Sequence, residues 1–290
     1  MARERIFKKA KEDMMSKLPD EILVSIMRCL PTKQAARTSV VCQRWHKIWK
    51  ITISIQPRLI FNLDKGWSSA LRKKSLRDAA KDLAKKRINE VNAVLKLHEA
   101  PTLDEYSLIA SKLEPKHRHH INTWMDFAAK KHVKKLTLQL RSKIGYNATF
   151  LADNFGCLRE LYIQVILVGE NSIHRLFSNT PFLELFSLLN SYTLYDFKIV
   201  SAPNLNYLQI EDCCSLENLE ISSASNLKRL KIRGDVALQS VDISSAPNLS
   251  DLILGIDGPN FKLDHHLALL NQIKRLTLYI DVGYYLFSPS

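Results

Sequence analysis

Apolar positions along this chain of 290 residues follow two different rhythms. From Ser16 to Trp49 they recur at steps of three and four, the spacing of one helix face. Ile22, Leu23, Ile26, Met27 and Leu30 form one such set, and Val41, Cys42, Trp45, Ile48 and Trp49 form another. Pro19 suits the start of the first helix, where its missing N–H would have no partner in any case. Pro31 stops that helix, and Thr32 can cap a short one through Ala35 and Ala36. Three small amphipathic helices are therefore predicted. A unit this short cannot bury so many large apolar groups within itself. Its surplus face either packs on the rest of the chain or marks a partner.

From Val133 onward the rhythm changes to alternation, the period of a strand with one buried face. Ser201-Ala202-Pro203-Asn204-Leu205 recurs as Ser223-Ala224-Ser225-Asn226-Leu227 and as Ser245-Ala246-Pro247-Asn248-Leu249, a period of 22 residues. Each copy continues as L-x-x-L-x-I or a close variant, and looser copies start at Val133, Leu158, Leu183 and Ile273. One such strand cannot cover its own apolar side. Stacked copies can, by forming a parallel sheet over a continuous core.

A second L-x-x-L-x-I register, offset by 11, begins at Leu194, Leu216 and Leu238. It predicts strands or extended turns on the opposite, convex side, because 22 residues leave no room for a helix there. The longer early copies do have room, and Asn171 to Ser178 reads as a short helix.

If the strands stack in register, their exposed positions form ladders. One runs Lys135, Glu160, Leu185, Tyr207, Arg229, Asp251, Arg275; the next passes Tyr162 and Lys231; a third passes Glu211, Arg233, Gly255 and Tyr279. Tyr162, Tyr207 and Tyr279 beside Arg229, Lys231, Arg233 and Arg275 would suit an acidic or phosphorylated segment of a target. A solvated strand face would carry similar residues.

Between these two regions, residues 57–67 suggest a linker with short extended pieces, and Leu71 to Glu99 a long helix. One side of that helix carries Leu76, Ala80, Leu83, Val91, Val94 and Leu95; the other carries Arg72, Lys73, Lys74, Arg77, Lys81, Lys85, Lys86 and Arg87. Leu103 to Ile109 reads as a strand and Ile121 to Lys131 as a helix. His117, His119 and His120 between them read as a polar turn rather than a metal site, since adjacent residues point in different directions.

The net charge of +13 is uneven: residues 1–132 carry +14 and residues 133–290 carry −1. A basic front half invites a nucleic-acid reading, in which Pro31 to Lys50 is a helix-turn-helix and Arg72 to Arg87 contacts phosphates. Trp45 and Trp49 on the apolar face, and the lack of aromatics among the helix charges, argue against it. The first 15 residues read as a charged tail without a secretory signal. No stretch is long and apolar enough to span a membrane. The five cysteines show no C-x-x-C pair and read as reduced thiols. Asn147-Ala148-Thr149 is a glycosylation sequon with no expected use. His265-His266 beside Asp264 lacks a nucleophile, and no nucleotide-binding or hydrolase motif occurs.

The run LPDEIL, a spacer, and LPTKQAARTSVVCQRWHKIW closely resembles the F-box of plant F-box proteins, over about residues 16–56. The 22-residue repeats resemble the leucine-rich repeats of plant F-box/LRR proteins of the FBD-related type. That resemblance implies an α/β fold: an N-terminal three-helix F-box followed by a leucine-rich repeat solenoid with a parallel concave sheet. It divides the chain into a tail (1–15), the F-box (16–56), a linker with the basic helix (57–100) and the repeat domain (101–290).

It also implies docking on a Skp-type adaptor through Leu18, Pro19, Ile22, Leu23, Ile26, Leu30, Pro31, Val41, Cys42 and Trp45. Through that adaptor the chain would join a cullin-RING (SCF) ubiquitin ligase as a non-catalytic substrate receptor without cofactor, in the nucleus or cytoplasm. An F-box scaffold acting outside a ligase is the other reading of the same resemblance. Many relatives carry a further C-terminal domain, so a short form of a longer protein is a further expectation.

Overall fold

The computed structural model describes residues 17–30, 32–65, 67, 76–140, 148–164, 168–234, 238–256 and 273–279. The tail (1–15), Pro31, Arg72, Lys73, Lys74, the sequon residue Asn147 and the Asp264–His266 cluster lie outside them. The chain divides into two compact units. One holds the described residues up to Gln56 together with Lys96–Ala100; the other holds the rest.

In the first unit, α1 (Asp20–Arg28), α2 (Thr32–Thr38) and α3 (Gln43–Ser54) are the three expected helices. Leu23 and Met27 from α1 meet Ile48 from α3 in a fully buried core, with Leu18, Val24, Trp45 and Trp49 packed around it. The Arg44 guanidinium on α3 reaches back to α1, pairing with Asp20 at 2.7 Å and donating to the Leu18 carbonyl.

In the second unit, nine parallel strands of the described residues form one sheet. In sheet order they are β1 (Arg58–Asn62), β2 (Glu105–Ile109), β3 (Lys135–Gln139), β4 (Glu160–Gln164), β5 (Leu185–Leu189), β7 (Tyr207–Glu211), β9 (Arg229–Gly234), β11 (Asp251–Ile256) and β12 (Arg275–Leu278). The missing numbers, β6 (Asp196–Ile199), β8 (Asn218–Ile221) and β10 (Ser240–Asp242), form a second parallel sheet on the back of the later repeats. They are the register offset by 11.

Helices take that place in the earlier repeats: α4 (Leu76–Leu97) between β1 and β2, α5 (Arg118–Lys130), α6 (Thr149–Asn154) and α7 (Glu170–Asn179). Copy length decides between the two, because a helix crossover needs more chain than a strand and two turns. Phe177 of α7, Phe186 of β5 and Phe197 of β6 meet where the backing changes, with ring centroids 5.3–6.3 Å apart.

Alternate residues of each strand point inward. Leu136 and Leu138, Leu161 and Ile163, Phe186 and Leu188, Leu208 and Ile210, and Leu230 and Ile232 are all fully buried. The S-A-x-N-L turn has a mechanical role. Its alanine and leucine are buried, and the asparagine amide donates to a carbonyl of the preceding copy: Asn204 to Pro181 at 2.8 Å, Asn226 to Pro203 at 2.6 Å, Asn248 to Ser225 at 2.7 Å. After β5 and β7 and at the end of β9 the chain turns through a left-handed residue: Asn190, Asp212 and Gly234, with φ of 55°, 51° and 87°. Asn, Asp and Gly are the types that reach that region at least cost.

Two sequence expectations need amendment. The stretch suggested as a linker contributes β1, whose Leu59 and Phe61 are buried and which pairs with β2 along its whole length. Arg87 is not on the basic face of α4. It turns inward, pairs with Glu90 at 2.7 Å and donates to the Lys65 carbonyl at 2.8 Å. Lys81, Lys85 and Lys86 stay exposed, with Asp78 and Asp82 among them. No described helix is long and apolar enough to cross a membrane.

Candidate functional site

Two surfaces carry the candidate residues. On the helical unit, α1 has two aliphatic stripes one residue apart. Leu23 and Met27 face inward and are 0% exposed, whereas Ile22 and Ile26 face outward at 47% and 36%. Leu23, expected at the adaptor contact, is instead sealed into the helical core, where its side chain is not presented at the surface. Pro19, Val41 and Cys42 are exposed; Leu18, Leu30 and Trp45 are half-buried, with one side left to solvent.

Sequence reasoning missed Val40, which at 84% is more exposed than Val41, and Ile51 on α3 with Ile55 just past its C-terminal end. Their signal was present as a surplus of aliphatics on α3 beyond the single stripe its core needs. Cys29, Cys42 and Cys157 are exposed free thiols, while burial pushes the Cys213 thiol up to about 12.

The second surface is the open face of the nine-stranded sheet. Its pairing reproduces the expected ladders rung by rung: Lys135, Glu160, Leu185, Tyr207, Arg229, Asp251 and Arg275 are successive partners. Tyr162 and Lys231 share the next ladder through Ser187 and Gln209. Arg233 pairs with Gly255, and the Tyr279 N–H donates to the Leu254 carbonyl at 2.7 Å, just beyond β12. All seven candidates therefore belong to one surface.

They are not a free cationic cluster, however. Lys135 pairs with Glu160 at 2.9 Å and lies over the Tyr162 ring; Lys231 pairs with Glu211; Arg229 and Arg275 share Asp251 at 3.1 and 3.5 Å. The hydrogen bond that the Lys135 ammonium donates to Glu160 holds its pKa above the usual lysine value. Burial pushes the Tyr162 and Tyr207 hydroxyls up, so both remain donors, Tyr162 to Glu160 at 3.2 Å and Tyr207 to Gln209 at 3.1 Å. Arg233 differs: among the described residues it has no carboxylate partner, and its guanidinium lies over the Tyr279 ring, 4.8 Å from the centroid.

His117, His119 and His120 occupy a short 3-10 turn and the first turn of α5, where His120 stacks near Trp124 at 6.0 Å. Burial, with smaller contributions from neighbouring cations and rings, lowers His117 and His120 below the ordinary histidine value. No group of three or more metal-ligating side chains converges among the described residues.

Residues 15–54 match the F-box domain model, and residues 91–267 match the model described as FBD-associated F-box protein At5g56370, LRR repeats. Among the similar curated proteins of Arabidopsis thaliana, the F-box/FBD/LRR-repeat protein At3g51530 is 25% identical over 69% of this chain and 45% of its own length. The F-box/LRR-repeat protein At3g03360 is 24% identical over 70% and 44%, and the F-box/FBD/LRR-repeat protein At3g52680 is 24% identical over 69% and 46%. The matched region is thus less than half the length of each of these relatives.

Proposed function

The chain belongs to the FBD-associated F-box/leucine-rich repeat family, and from that premise we propose that it is the substrate-recognition subunit of an SCF ubiquitin ligase. The F-box docks the Skp-type adaptor, and the open sheet face holds the target protein. One observation carries this reading: α1 completes its own core with Leu23 and Met27 and still leaves the Ile22–Ile26 stripe uncovered, and Val40 and Val41 are exposed as well. An apolar stripe kept outside a finished core is what a partner helix would cover.

Chemistry on ubiquitin belongs to the ligase partners. This subunit acts by holding the target at high effective concentration near the transfer site. It needs no cofactor, and it works where its ligase works, in the nucleus or cytoplasm. The basic helix-turn-helix reading has little support, since Trp45 and Trp49 pack around the core of the three helices.

Co-expression with a Skp-type adaptor tests the proposal. The full chain should recover adaptor and, through it, cullin. Ile22→Glu combined with Val41→Glu should lose both while the chain remains folded by circular dichroism. Adaptor recovery that survives these changes would refute the docking surface. Recovery of adaptor without cullin would refute ligase membership.

A further inference from the structure

Resting on the reading of the sheet face as the target site, we infer that the β9–β11–β12 end of that face takes an extended acidic peptide. One carboxylate of the peptide sits on the Arg233 guanidinium, and an apolar side chain two residues away lies over Ile253. The electrostatic pattern of the face supports this. Between β7 and β12 it carries Arg229, Lys231, Arg233 and Arg275 against Glu211 and Asp251, a surplus of two positive charges among the described residues.

The pairing localises the available charge. Asp251 is shared by Arg229 and Arg275, and Glu211 is taken by Lys231 and by the Gln209 amide at 2.9 Å. Arg233 is in register with Glu211 on one side and Gly255 on the other. It leans away from the occupied carboxylate, across the gap at Gly255, and onto Tyr279. An arginine held over a ring is attracted through its charge and still has N–H groups to offer, and these bind a carboxylate with two parallel hydrogen bonds. Gly255 and Ile253 are alternate residues of β11, about 6.6 Å apart, which is also the spacing of alternate side chains in an extended peptide.

A carboxylate fits better than a phosphate. A dianion calls for at least two converging unpaired cations, and among the described residues of this end only the Arg233 guanidinium lacks a carboxylate partner, with the Glu211 carboxylate next to it in register. A single negative charge matches it one for one.

An array of ten-residue peptides, degenerate except for a central Glu, Gln, phosphoserine or Lys, would be probed with the full chain. Adaptor retention would be scored in parallel on the same preparation. The Glu set should be retained best, with enrichment of Val, Ile or Leu two positions from the Glu. Arg233→Ala should weaken that retention about tenfold, Tyr279→Ala should weaken it less, and Arg58→Ala at the far edge of the sheet should leave it unchanged. Preference for phosphoserine, equal retention of Glu and Gln, or no retained peptide would each overturn the inference. Continued adaptor retention in those cases would leave the receptor reading standing, whereas loss of adaptor from the unaltered chain would remove that reading separately.

Discussion

Arg233 lies over the ring of Tyr279 at 4.8 Å, and the two meet across Gly255 on the strand between them. A side chain at 255 would place its Cβ 2.9 Å from the Tyr279 Cβ and 3.1 Å from the Arg233 Cγ. The constraint is one of space at the packed face. Gly255→Val should therefore destabilise the repeats by about 1–3 kcal/mol through overpacking, measured as a lower thermal midpoint. Unchanged melting would show that the stack has slack.

Neighbouring residues of α1 should respond in opposite ways. Leu23→Ala opens a cavity among Leu23, Met27 and Ile48 and should cost about 2–5 kcal/mol of F-box stability. Ile22→Ala, 47% exposed, should leave the melting transition within about 0.5 kcal/mol and weaken adaptor capture. Chemical denaturation paired with an adaptor pull-down separates the two effects. Equal destabilisation would mean that Ile22 is core.

Asp251 holds two guanidiniums, so removing its charge frees both. Asp251→Asn should shift the salt concentration at which the chain elutes from a heparin column upward. The stability change should stay within about 1 kcal/mol, because both arginines are substantially exposed. Unchanged or earlier elution would contradict the pairing.

The Cys213 thiol gives an alkaline signature. Its folded value, pushed up to about 12 by burial, lies above the ordinary 9.0. Below pH 9 both folded and unfolded chains hold the proton, and the thiol's contribution is fully present. Between about 9 and 12 only the folded chain holds it, so stability falls as pH rises. Cys213→Ala should show a shallower alkaline decline by up to one proton in denaturation curves. Iodoacetamide at neutral pH should label Cys29, Cys42 and Cys157 well before Cys213. Identical alkaline slopes, or early labelling of Cys213, would count against its burial.

How much of this could be read from the chain follows from its periods. Alternation within a strand and a recurring motif spaced 22–25 residues apart leave one register, so the rungs from Lys135 to Arg275 are legible in the sequence. Which stripe of α1 faces inward was not, because Ile22, Leu23, Ile26 and Met27 are all large and apolar and differ by one residue in phase. Residues 57–67 read as a linker with short extended pieces, and that β1 joins the sheet was not legible, because a single five-residue copy has no repeat to confirm it although Leu59 and Phe61 alternate as a strand should. The ion pairs on the face depend on which way each long side chain leans. Arg233 has Glu211 beside it in register and still turns the other way, and spacing alone does not show that choice.

The parallel stack touches only nearest neighbours, and each copy from Ser201 to Leu249 is bolted to the one before it by the same asparagine amide. Excising or duplicating a whole 22-residue unit would close the joint again and keep every outward position outward, changing only the reach of the receptor. Losing a single residue inside a strand would turn that strand's greasy side to water. The length of the array is thus free to vary in whole steps while its reading frame is not.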